Sequence, residues 1–207
     1  MKGLLLKDWY MTVKYCKMYL IIVVLFYVLT FHSPKSLIIA YYPCMVAGLI
    51  PVTLLAYDER SRWTTYSMSM PYTKTQIVSS KFLFGLIAQI IVLTFTGVVQ
   101  TVRMVKDGGF VLENFMILMM IIFAMSLVSS SITLPFIFKF GVEKGRMAYY
   151  VMIGILCAIS VGSSKMPSEI LAEINLMKVL IFVCLIAIAI YALAWLWSVK
   201  LFQKREF

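Results

Sequence analysis

Acidic residues are scarce in this chain. Nine Asp and Glu stand against 19 Lys and Arg, and charged residues of all kinds make up 14% of 207 positions. Soluble domains carry about 25%, so a water-facing surface of ordinary extent is excluded. None of the acidic residues falls in the middle of an apolar run, where a proton-coupled carrier usually buries at least one carboxylate. Histidine occurs once, at His32, which the pattern places in a four-residue external loop, so neither a His-built metal cluster nor a His-dependent nucleophile is expected. Cys16, Cys44, Cys157 and Cys184 show no paired spacing and read as small apolar packing residues. No GxxxxGK[ST] phosphate loop is present; Gly141-Val-Glu-Lys-Gly145-Arg lacks both the spacing and the final Lys-Ser/Thr. The chain is therefore not expected to be an enzyme or to hold a cofactor or metal, and any ATP hydrolysis belongs to another chain. Small residues suited to a signal peptidase do not follow the first apolar run, which ends in Phe31-His32-Ser33-Pro34 and is expected to be retained. The longest polar stretch, Asp58 to Ser80, is about 23 residues, too short for a core of its own, so a single domain over 1–207 is expected.

Apolar residues fill the rest, at 62% of the chain. A membrane-crossing helix needs roughly 20 of them in a row. The pattern predicts an all-α membrane protein with six spans, near 18–32, 36–57, 82–103, 113–138, 148–163 and 177–199. The first and fifth are short and must borrow flanking residues or tilt; five spans plus a re-entrant segment is the rival arrangement. With the N-terminus inside, the inner side collects Lys2, Lys7, Lys14, Lys17, Arg60, Arg62, Lys74, Lys81, Lys139, Lys144, Arg146, Lys200, Lys204 and Arg205. The outer side keeps only Lys35, Arg103, Lys106, Lys165 and Lys178. Such asymmetry predicts both termini in the cytosol of a multi-pass cell-membrane protein. It also accounts for the net charge of +10 as a topology signal, and no nucleic-acid-binding face is expected.

Two cytosolic segments carry more than hydropathy. At about 100° per residue, Leu5, Trp9, Val13 and Cys16 fall on one side of an N-terminal helix and Lys7, Lys14 and Lys17 on another. This suits a helix in the lipid interface, lysines toward anionic headgroups; an extension of the first span with snorkelling lysines is the plainer alternative. The loop from Asp58 to Lys81 opens with a charged cluster, Asp58-Glu59-Arg60, then carries Trp63, Tyr66, Met68 and Met70. Pro71 ends any helix there, and Thr73-x-x-Gln76 predicts a capping box that starts the next one. Exposed Trp, Tyr and Met on a short helix suit docking into a partner's groove, or else an aromatic belt at the headgroups.

That order of elements, with Asp58-Glu59-Arg60, Trp63 and Met70-Pro71-x-Thr73-x-x-Gln76-Ile-Val78-x-x-Lys81-Phe, resembles the permease subunits of ABC-2 type ABC transporters, in particular their small stand-alone branch. The resemblance spans essentially the whole chain, though only this loop is distinctive. It implies an N-terminal elbow helix and a coupling helix in the 58–72 loop that seats on a separate ABC ATPase, which binds ATP and Mg. It further implies two ATPase copies and a second permease copy, identical or homologous. Phenol-soluble modulin exporters and lantibiotic-immunity exporters are similar in size and layout, which implies export of amphipathic or antimicrobial-type peptides. On this basis Asp58, Glu59, Arg60, Trp63, Tyr66 and Met68 are expected to couple to the ATPase, with Glu143 and Lys144 of the second cytosolic loop as a secondary contact.

Polar residues inside the spans complete the expectation. Gln89, Thr96, Gln100 and Arg103 lie within about 60° of one helical face, and Ser126, Ser130 and Thr133 share a face of the next span. Such groups line a translocation path or hydrogen-bond between helices. Pro43 and Pro51 should kink span two, and Gly154, Ala158 and Gly162 form a small-residue packing stripe in span five. Two other functions fit the size: a substrate-binding membrane subunit of an energy-coupling-factor importer, and a non-transporting immunity or sequestering protein. The importer family usually carries Ala-x-x-x-Ala in its first helix, a spacing this chain lacks.

Overall fold

A computed structural model describes residues 2–32, 37–145, 147, 150, 151, 154 and 176–204. Within these the secondary structure is entirely helical: α1 Lys2–Tyr15, α2 Lys17–His32, α3 Leu37–Arg60, α4 Trp63–Met68, α5 Lys74–Lys106, α6 Leu112–Phe140 and α7 Leu176–Gln203. Four of them (α3, α5, α6 and α7) are long and apolar enough to cross a membrane, and a fifth crossing results if α1 and α2, bent 68° to one another, form one broken span. Most of the expected span near 148–163, and of its small-residue stripe, lies outside the described residues.

The long α5 sits at the centre. Its start is fixed locally: the Thr73 side chain accepts from the Gln76 N–H, and the Gln76 side chain accepts from the Thr73 N–H. This is the predicted capping box. It carries the helix through Lys81 into the apolar run, so α5 begins eight residues before the expected span. Helix α3 packs antiparallel to it, with Cys44 beside Thr96 and Asp58 beside Lys81. Pro43 and Pro51 both lie inside α3. A side chain at Gly85 would stand 3.2 Å from the Pro51 ring, so glycine lets the two helices close here.

Helix α7 docks on the other side of α5 through Tyr191, whose hydroxyl donates to the Phe82 carbonyl, and Trp195, whose indole donates to Ser79. Phe82, Phe138, Tyr191 and Phe202 form an aromatic cluster there. Helices α6 and α7 run parallel, since Cys184 meets Met120 near their starts and Phe138 meets Phe202 near their ends. Away from the core, α7 and α2 expose Phe182, Leu185, Leu193, Leu20, Ile21 and Val24, an apolar surface suited to lipid.

Helix α1 divides its residues differently from the sequence expectation. Leu5 and Cys16 pack inward against Ile50, Leu54 and Phe84. The outward stripe is Leu6, Trp9, Tyr10 and Val13. Lys7 does not point to solvent with Lys14 and Lys17: it turns into the bundle, because a carboxylate waits there.

Candidate functional site

One end of the bundle gathers α1, the α3–α4 turn, the start of α5, the segment after α6 and the end of α7. Most of the described basic residues are here, while Arg103, Lys106 and Lys178 mark the opposite end.

At the centre of this basic end four charges close a ring. Lys7 Nζ lies 2.6 Å from Asp58, Asp58 lies 2.7 Å from Lys81 Nζ, Lys81 lies 2.6 Å from Asp8, and Asp8 lies 3.6 Å from Lys7. The signs alternate around the ring, so every neighbour attracts. Asp8, Asp58 and Lys81 are 1%, 4% and 3% exposed. Charges so deeply buried persist only when paired. The ring joins α1 to the end of α3 and to the start of α5. Asp8 Oδ2 has no partner among the described residues.

The ring reaches α4 through Lys7. Its ammonium sits 4.4 Å from the Trp63 ring centroid, within cation–π range. Helix α4 is set up by a sharp reversal at Arg62, which has φ 52° in the left-handed region and is the only non-glycine residue there among those described. Trp63 and Tyr66 lie 5.6 Å apart, centroid to centroid, and Tyr66 projects outward at 56% exposure while Ser67 is fully buried. Met68 closes α4, and its side chain lies outside the described residues.

At the same end of the bundle the charged residues that close α3 meet those that follow α6. The Glu59 carboxylate accepts from the Val142 N–H at 3.2 Å, tying the end of α3 to the turn after α6. Gly141 makes that turn with φ 86°, a conformation that favours glycine. Gly145 lies so close to Ile137 that any side chain would collide with it. Glu59, Arg60, Glu143 and Lys144 thereby line one open cleft of about 800 Å³, together with Tyr15, Met18, Tyr19, Tyr57 and Phe140. Tyr15 and Tyr57 stack at 4.3 Å across the base of α1. Of the eight residues expected to couple, Glu59, Arg60, Glu143 and Lys144 are thus in the cleft, Asp58 is in the ring, and Trp63 and Tyr66 stand on α4.

The polar face of α5 points into the bundle. Gln89 donates to the Ser126 carbonyl at 3.1 Å and to the Ser130 hydroxyl, both on α6. Thr96 meets the Tyr27 hydroxyl of α2 at 3.1 Å. Gln100 is 2% exposed and accepts from Arg103, which also faces Asp107 at 3.8 Å. These side chains bond between or along helices in the described chain. No group of three or more potential metal ligands occurs among the described residues.

Sequence reasoning missed Asp8, and it took Lys81 as an inner-side charge, a helix continuation and part of the loop pattern without giving it a partner. Their partners are 73 and 23 positions away, beyond any periodic signal; an acidic residue inside an otherwise basic, apolar N-terminal helix was the available clue. Comparison with curated proteins and with solved structures gave no match. A family model described as ABC-2 family transporter protein matches residues 3–203. That match covers nearly the whole chain, including every residue of the ring, the cleft and α4, and the chain belongs to the ABC-2 family of transporter membrane proteins.

Proposed function

We propose that this chain is the permease subunit of an ATP-driven exporter, seated on a separate ABC ATPase through the basic end of the bundle, with amphipathic or antimicrobial-type peptides as cargo. Family membership supports the permease role and, in general terms, an ATPase partner. The basic end belongs in the cytosol by the positive-inside rule, which supports the same face for the ATPase. The observation that carries the reading is the placement of α4: a short helix at the rim of the basic end, with Tyr66 exposed and Trp63 anchored on Lys7.

In this reading α1 is the elbow helix and α4 the coupling helix. ATP-driven closure of two ATPases pushes on α4, which leads directly from α3, and the push tilts α2 and α3 against the rest of the bundle. A second permease copy completes the path, to which the polar face of Gln89, Thr96, Gln100 and Arg103, with Ser126 and Ser130, contributes hydrogen-bonding groups. Glu143 and Lys144 form the secondary contact from across the cleft.

Co-expression with candidate ABC ATPases, followed by reconstitution in nanodiscs, tests the reading. A stable complex is expected, whose ATP hydrolysis responds to an amphipathic peptide. Absence of any complex would move the assignment toward a sequestering membrane protein.

A further inference from the structure

Two consecutive residues of α1 grip different parts of the bundle. Lys7 holds Asp58, the last buried residue of α3, at 2.6 Å, and stacks on Trp63, the first residue of α4. Asp8 holds Lys81 of α5 at 2.6 Å. Lys7 is the less buried of the two, with 21% of its side chain exposed against 1% for Asp8. The Asp8–Lys81 side is therefore enclosed in the bundle, and the Lys7 side lies at its rim, where α4 begins.

We propose that Lys7 is a positioning residue that clamps the start of α4 to α1, so that a displacement of α4 is delivered into α1 and across the 68° bend at Cys16 into α2. Its charge holds the α3 end and its cation–π contact holds α4, so one side chain joins three helices. The Asp8–Lys81 pair serves as the fixed point on α5. The bend helps transmission: Cys16 is fully buried, its carbonyl accepts from Tyr19 and Leu20 of α2, and its N–H donates to Thr12 of α1. The functional meaning of this clamp rests on the ATPase-coupled reading above; the clamp itself does not.

The clamp is tested on the purified chain in nanodiscs, without any ATPase. Spin labels are placed at Tyr10→Cys on α1 and Thr65→Cys on α4, both exposed positions, with the four native cysteines replaced by alanine. Distance measurement by electron double resonance is expected to give one narrow peak. Lys7→Met should lose that peak, Trp63→Leu should lose it with all four charges intact, and Lys7→Arg should restore it, since guanidinium both pairs with carboxylate and stacks on indole. Size-exclusion profiles identify any variant that fails to fold, and Trp63→Leu carries the test if Lys7→Met does. A narrow peak retained in folded Lys7→Met or Trp63→Leu would overturn the proposal, as would failure of Lys7→Arg to restore it. If no ATPase binds the wild-type chain, the functional reading falls while the distance result still decides the clamp.

Discussion

Removing Lys81 should harm the fold more than removing Lys81 and Asp8 together. In the ring Lys81 lies between two buried carboxylates, at 2.6 Å from Asp8 and 2.7 Å from Asp58. Lys81→Met leaves both with only Lys7 to share, and Lys7 is 3.6 Å from Asp8. Breaking a buried ion pair by deleting one partner costs about 3–5 kcal/mol, chiefly through the stranded charge. For a chain of this size about 1 kcal/mol corresponds to roughly 2–4 °C in soluble domains, so a fall on the order of 10 °C is expected. Adding Asp8→Asn removes the stranded carboxylate and leaves Lys7 and Asp58 as a balanced pair. The double variant should therefore recover about 1–3 kcal/mol relative to Lys81→Met alone, within the range of coupling energies for residues in contact. Thermal unfolding followed by fluorescence-detected size exclusion in detergent gives the comparison directly. If the double variant melts below Lys81→Met, by the sum of the single effects, the ring is not an electrostatic unit and the reasoning fails.

Thr73→Ala removes one half of the capping box at the start of α5 and should cost about 1 kcal/mol, read as a small drop in melting temperature with unchanged oligomer size. Gly145→Ala drives a methyl group into Ile137, where overpacking typically costs about 1–3 kcal/mol; a melting temperature equal to wild type would show that the turn after α6 can give way. Gln89→Leu loses the donors to Ser126 and Ser130, but also removes an amide oxygen that is buried without a partner among the described residues. Since hydrogen bonds between membrane helices average about 0.6 kcal/mol, stability should change by less than about 1 kcal/mol. Any larger effect of Gln89→Leu on transport would then report on the path.

The parts of this fold that were legible in the sequence are those written in local order. Thr73 and Gln76 announced the start of α5 three residues apart, and Pro71 with its neighbours separated α4 from it. The apolar runs located α3, α5, α6 and α7, although each helix extends beyond its run because helix termini follow caps, not hydropathy. The break at Cys16 left no trace, since neither glycine nor proline stands there; it is made by burial of Cys16 against Ile50, Leu54 and Phe84. The ring was illegible for a related reason. Lys7 looks like one more interfacial lysine until Asp58, 51 positions later, is placed beside it. The spacing of Gln89, Thr96 and Gln100 revealed a shared face, but their partners on α2 and α6 came only from packing.

The proposed function is ATP-driven peptide movement through a path that α4 controls. It is tested most directly in inside-out vesicles containing the permease and its ATPase, by following ATP-dependent uptake of a fluorescent amphipathic peptide. Uptake should require ATP and be lost in Tyr66→Ala, a change at an exposed side chain, while the complex still assembles. Uptake unchanged in Tyr66→Ala, or equal with and without ATP, would contradict it.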